Sequence, residues 1–247
     1  MDKMIYTAMT GAKQILYQQA VVAHNLANLN TNGYREEAAA FRALPVQGDG
    51  LATRVPVIDT ITGSNMTPGA IQQTGRDLDV AIQGPGWLAV EARDGSEAYT
   101  RNGSFEISAE GILQTRAGLN VMSVGGPILI PANHSVTIAR DGTVSAVPQG
   151  GALNNVLVVG RLKLVNPPDA ELSKGPDGLF RTRDGVPPDA SQDVALVARA
   201  LEGSNVNAVE AMVSMIALAR AFEMQMKLLQ NAEANAKSAD RLLAAGG

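Results

Sequence analysis

Asp77-Leu78-Asp79-Val80-Ala81-Ile82-Gln83-Gly84-Pro85-Gly86-Trp87-Leu88-Ala89-Val90 is the stretch that decides the fold. Polar and apolar residues alternate at its start, Gly84-Pro85-Gly86 turns the chain, and a second apolar run follows. A period of two puts successive side chains on opposite faces of a strand, and turn signals every eight to ten residues between alternating runs predict antiparallel β structure. The same pattern repeats downstream. Asp94-Gly95, Asn102-Gly103, Glu110-Gly111, Gly118 and Asp141-Gly142 are turn signals that separate short runs as far as Val147,. Val156 to Val165 reads as a longer, well-buried strand, and a Pro- and Gly-rich stretch from Pro167 to Pro188 reads as a loop-rich exit. Asp77 and Asp79 share one strand face and are expected to be exposed. A catalytic carboxylate pair would need a cleft and a perturbed pKa.

Outward from this β region, both ends of the chain change period. Ile5, Ala8, Ala12, Ile15, Gln19, Val22, Leu26 and Leu29 fall at alternating three- and four-residue spacing, a heptad seam,. Gly11 costs about 1 kcal/mol relative to Ala in a helix. With Ala8 and Ala12 it offers a narrow surface for close approach of another helix. The seam ends in Asn28-Leu29-Asn30-Thr31-Asn32-Gly33-Tyr34, where Asn-Gly tolerates positive φ,. At the other end Ala208, Met212, Met215, Ala219, Phe222, Met226 and Leu229 repeat the spacing, which then weakens at Glu233 and Asp240. Ser204-Asn205 offers a cap, and Glu210 sits where the helix dipole favours an acid,. The methionines suit a face that packs against non-identical neighbours. Between the first seam and the β region, residues 35–42 could continue a helix briefly. The prolines and glycines from Pro45 to Gly69 then predict an extended connector with short strands.

Composition narrows the function. The 247 residues are 45% apolar but only 4% aromatic, with one tryptophan, so base-stacking platforms are not expected. A net charge of −4 argues against a nucleic-acid binder, which needs a basic face to release counterions,. The absence of cysteine removes disulfides, zinc–thiolate sites and thiol nucleophiles,. The opening has no continuous apolar core of the signal-peptide kind, and the most apolar run, Ala211 to Ala219, is too short to span a bilayer,. His24 and His134 lack a ligand pattern around them, and neither a GxxxxGK[ST] nor a GxSxG motif is present,. No metal, cofactor or catalytic residue is therefore expected.

Three segments resemble a known family. Asn25-Leu26-Ala27-Asn28 with Thr31-Asn32-Gly33-Tyr34 is similar to the N-terminal signature of bacterial flagellar rod, hook and related axial proteins. Asp79 to Trp87, Tyr99-Thr100-Arg101-Asn102-Gly103-Ser104-Phe105 and Gly111-Ile112-Leu113 resemble the family's β-domain signature. Leu201-Glu202-Gly203-Ser204-Asn205-Val206-Asn207, with Arg220-Ala221-Phe222-Glu223, resembles its C-terminal signature. Residues 1–12 and 209–220 look most like the proximal-rod members. His24 departs from the pattern, standing where Asn or Ser is expected.

The expected fold is α+β: N- and C-terminal helices paired as a coiled-coil-like axial domain, with a central, mostly antiparallel β domain. The expected segments are 1–34 N-terminal axial helix, 35–76 connector, 77–200 β domain and 201–247 C-terminal axial helix. The resemblance implies a structural rod subunit of the flagellar basal body, placed in the periplasmic space and exported without a cleaved signal peptide. Its implied partners are other rod proteins in a helical hetero-assembly and the flagellar type III export apparatus, with no nucleic acid and no transmembrane segment. The expected assembly interface comprises Ile5, Ala8, Ala12, Ile15, Val22, Leu26, Asn28, Leu29 and Gly33 at one end. Met212, Met215, Ala219, Phe222, Met226 and Leu229 complete it at the other. A peptidoglycan-active enzyme or another β-rich exported protein is the alternative. The enzyme would need a catalytic Glu/Asp constellation in a cleft, which the sequence does not display.

Overall fold

The computed structural model describes residues 2–43, 57–148 and 156–245. In chain order its elements begin with α1 (Asp2–Ala27), β1 (Glu37–Ala43), β2 (Val57–Ser64), β3 (Ile71–Gln73), β4 (Val80–Gln83), β5 (Trp87–Glu91) and β6 (Glu97–Thr100). They continue with β7 (Phe105–Ile107), β8 (Leu113–Thr115), β9 (Met122–Ser123), β10 (Gly126–Pro127), β11 (His134–Ile138), β12 (Thr143–Pro148) and β13 (Leu157–Arg161). The last are β14 (Leu164–Val165), β15 (Leu172–Lys174), β16 (Phe180–Thr182), β17 (Ala195–Ala198), β18 (Ala200–Glu202) and α2 (Ala208–Ala245). Every strand pairing among the described residues is antiparallel. The chain is thus α+β, two helices with antiparallel sheets.

The residues group into two compact units. One holds Met1–Asn28, Glu37–Asn65 and Val206–Gly247; the other holds Leu29–Glu36 and Met66–Asn205.

In the helical unit, α1 ends in a last turn where the Asn28 N–H bonds back to His24 and, more tightly wound, to Asn25, and the Asn28 side-chain amide caps the His24 carbonyl at 2.9 Å. Residues 37–43 are a strand, β1, paired with β2, where the sequence suggested a helical continuation. Ala-rich sequence favours a helix by local propensity, but Asn25 overrides it. The Asn25 amide donates to the Glu37 carbonyl at 2.8 Å, and its oxygen accepts the Glu37 N–H at 2.9 Å. One buried side chain thereby satisfies both backbone groups of Glu37 as a neighbouring strand would. The cap of α2 also differs from expectation. Asn207, not Ser204-Asn205, accepts the Val209 N–H at 3.1 Å and the Glu210 N–H at 3.4 Å,.

In the β unit, β5 is buried along Trp87–Val90. Leu88 packs with Val80, Ile82 and Phe105, whereas Trp87 and Ala89 pack with Tyr99, Val165 and Phe180. The two faces of one strand thus serve two clusters, as alternation requires. The largest sheet runs β14-β5-β6-β16-β15, and a second runs β11-β12-β13. The stretch from Val156 to Val165 is two strands rather than one long buried strand. β13 leaves Leu157 and Val158 exposed, and Leu162-Lys163 breaks the run before the buried pair of β14. β4 pairs with β17 and β3 with β18, so strands from the beginning and end of the unit close it. Asp79 is buried, contrary to its expected exposure. It takes Arg76 at 2.9 Å and the Thr74 hydroxyl at 2.8 Å, with Ser104 at 3.3 Å. Asp77 is exposed and pairs with Arg199 at 2.6 Å.

Candidate functional site

For a chain whose ends carry helical seams, the first candidate site is the helix surface. Ala12 is buried; Ala8, Ile15, Val22, Leu26, Asn28 and Leu29 are half-buried; the Ile5 side chain lies outside the described residues. On α2, Met215, Ala219, Phe222 and Leu229 are half-buried, while Met212 and Met226 are exposed. The two helices meet where the Gln225 amide donates to the Ala8 carbonyl at 2.9 Å. Gln225 occupies the space a Cβ on Gly11 would enter, at 2.8 Å from its Nε2. The narrow surface foreseen around Gly11 therefore admits a side chain of α2.

Heptad reasoning did not foresee how much apolar surface this pairing leaves uncovered. Val209, Val213, Ile216 and Leu228 are 71%, 62%, 57% and 56% exposed, and on α1 Met9 and Leu16 are also exposed. The sheltered stripe of α2 runs through Ala211, Met215, Leu218, Phe222, Gln225 and Leu229. Met215, Phe222 and Leu229 are shared with the predicted seam, and the half-buried Ala219 flanks the stripe. The sequence signal for the second face is the stretch 211–219, apolar except for Ser214 and too dense for a single stripe,.

The second candidate lies wholly in the β unit and was not anticipated. Glu202 of β18 is 1% exposed and sits between two guanidiniums. Arg101 Nε donates to one carboxylate oxygen at 2.8 Å, and Arg35 Nη1 lies 2.7 Å from the other without hydrogen-bond alignment. The Gly69 N–H also donates to this carboxylate, at 2.9 Å. Arg101 further donates to the carbonyls of Gly84 and Gly86, so the Gly-Pro-Gly turn serves as an acceptor cradle. The Trp87 ring faces both guanidiniums at 5.9 Å,. Burial pulls the pKa of Arg101 below its ordinary value; Glu202 opposes that shift and Arg35 adds to it. Two buried cations share one anion.

Backbone bonds surround this triad. The Gly33 N–H donates to the Glu202 carbonyl at 2.8 Å, and the Glu36 N–H donates to the Asn205 side chain at 2.7 Å. Gly33 has φ +67°, and a Cβ there would strike the backbone of Arg101 and Asn102. The triad was not legible because its members are far apart in sequence and each alone is an ordinary surface-type residue.

The two histidines have local partners. His24 Nδ1 lies 3.1 Å from Glu37 Oε2, and His134 Nδ1 lies 2.8 Å from the Ala132 carbonyl. Among the described residues no helix is long and apolar enough to cross a membrane.

Comparison with known proteins gives three family matches along the chain. Residues 5–35 match the flagella basal body rod protein family. Residues 81–146 match the flagellar hook protein FlgE/F/G D1 domain, and residues 197–242 match the flagellar basal body rod FlgEFG protein C-terminal domain. The chain is 49% identical to the flagellar basal-body rod protein FlgF of Escherichia coli K12 over 98% of its length and 99% of the relative's. It is 35% identical to FlgF of Caulobacter vibrioides, covering 98% of both chains, and 35% identical to FlgG of Agrobacterium fabrum, covering 86% and 88%. Each matched segment contributes one member of the triad: Arg35, Arg101 and Glu202.

Proposed function

The chain belongs to the flagellar basal-body rod family, and on that premise we propose that it serves in the rod as a proximal subunit that assembles through its terminal helices. At the coarser level it is a structural subunit of the flagellar basal-body rod. The observation that carries the finer reading is the 49% identity to the FlgF protein of Escherichia coli over nearly the full length, against 35% to the FlgG protein compared. In this reading α1 and α2 pair antiparallel within one subunit as a coiled-coil-like axial domain. The meeting of Gln225 with Ala8 supports it, since both lie a similar distance from the ends that border the β unit. Segments 1–34 and 201–247 then form the axial part, 77–200 the β domain and 35–76 the connection.

Neighbouring rod proteins dock on what the intrachain pairing leaves open. The exposed Met212, Met226, Val213 and Ile216 fit that role best; the seam residues Ile5, Ala8, Ala12, Ile15, Val22, Leu26, Asn28, Leu29, Met215, Ala219, Phe222 and Leu229, with Gly33, belong to the same interface, Ala12 from the buried side and the half-buried members at their open edges. Exposed apolar area of this kind needs a partner in water. The assembled subunits form a hollow shaft across the periplasm that transmits torque. The chain reaches it through the flagellar type III apparatus, without a cleaved signal. The role is structural, not catalytic.

Cross-linking tests the reading. The chain has no cysteine, so single cysteines at Ile15 and Phe222 report unambiguously in purified basal bodies. Links to other rod proteins are the expected result. Links confined within the chain, or none, would return the helices to a self-contained fold.

A further inference from the structure

Leu29–Glu36 is the segment that follows α1, and Ala200–Asn205 precedes α2; both lie in the β unit. Neither holds to the unit by an extensive ladder of its own at the triad. Leu29–Glu36 contains no strand, and among the described residues β18 pairs only with the three-residue β3. What they share is Glu202. Its carboxylate takes Arg35 from the first segment and Arg101 from the body of the unit, and its carbonyl takes the Gly33 N–H. Asn205 repeats the exchange, taking the Glu36 N–H on its side chain and giving its own N–H to the Tyr34 carbonyl at 3.4 Å.

We propose that Glu202 is a shared counter-ion that couples the two segments, so that the stretch leaving α1 and the stretch entering α2 are seated or released together. If the second segment leaves, Arg35 and Arg101 lose their common anion. Two like charges, 2% and 3% exposed while the segment is seated, then lie side by side without their anion, a costly arrangement,. If the first segment leaves, the Glu202–Arg101 pair survives but Gly33 and Glu36 no longer hold residues 202 and 205. Such coupling is reciprocal by thermodynamic necessity. This device is independent of the rod reading, because it lies within one unit of one chain.

Amide hydrogen exchange on the full-length Arg35→Met protein tests it. The Gly33 amide reports the first segment and the Gly203 amide, which donates to the Ala70 carbonyl, reports the second. Ala89 and Leu113, in the body of the unit, are controls. The expected result is exchange about tenfold faster or more at both Gly33 and Gly203, with the controls unchanged; tenfold corresponds to about 1.4 kcal/mol. Acceleration at Gly33 alone, or equal acceleration at all four amides, would overturn the proposal. A second measurement uses urea unfolding. Glu202→Gln should destabilise more than Arg35→Met, and adding Arg35→Met to Glu202→Gln should recover stability by removing one of two uncompensated cations. A double variant no more stable than Glu202→Gln would equally refute the shared counter-ion.

Discussion

Asn25 holds Glu37 by both backbone groups, so it should be costly to truncate although it lies outside the heptad seam. Asn25→Ala removes a donor and an acceptor from a buried exchange, with an expected loss of about 1–3 kcal/mol in urea unfolding. Asn25→Asp keeps the acceptor but sets a buried carboxylate oxygen against the Glu37 carbonyl, and should cost at least as much as the alanine variant,. At the same scale, Arg181 forks onto Asp177 at 2.7 and 3.0 Å, and this holds the Asp177 carboxyl below its ordinary 3.8. A depressed carboxylate stabilises above its unfolded pKa and loses that contribution as pH falls through its folded one. Asp177→Asn should therefore lower the urea midpoint at pH 7, and the gap to the parent should close in acid, below the ordinary value. A gap of constant size would show that the substitution acts on something other than the ion pair. Gly33→Ala is expected to cost several kcal/mol, measured as a fall in Tm, because strain at positive φ adds to the collision with Arg101,.

Among the elements, the helices follow from spacing alone, because a period of three to four needs no knowledge of the rest of the chain. The β5–β6 and β7–β8 hairpins are equally local, since Asp94-Gly95 and Glu110-Gly111 mark where their strands reverse. What escaped the sequence is whatever depended on a distant group. Residues 37–40 have helical propensity and become a strand because Asn25 captures Glu37. Asn205 and Asn207 are equivalent as caps until Glu36 claims the first of them. Asp79 looks like an exposed strand acid until Arg76 and Ser104 close over it. The helix faces carry their own prediction. Phe222→Asp or Ile15→Asp puts a charge in a half-buried seam, and rod assembly should be lost while the β unit stays intact. Motility assays together with unchanged Trp87 fluorescence would check it, since Trp87 lies in the β unit.

At the scale of the whole molecule, the β unit is closed by its chain ends. β4 waits for β17, β3 waits for β18, and Arg35 and Arg101 wait for Glu202. Deleting everything after Asn207 should leave a folded β unit, whereas deleting everything after Val194 should not. Trp87 fluorescence and near-ultraviolet circular dichroism distinguish the two. A chain is made from its N-terminus, so the strands that open this unit are delivered long before the ones that complete it. Long-range closure of this sort is slow by nature. The position of β17 and β18 therefore acts as a clock: for most of its delivery the newborn chain is pliable thread, and it stiffens only when its last strands arrive.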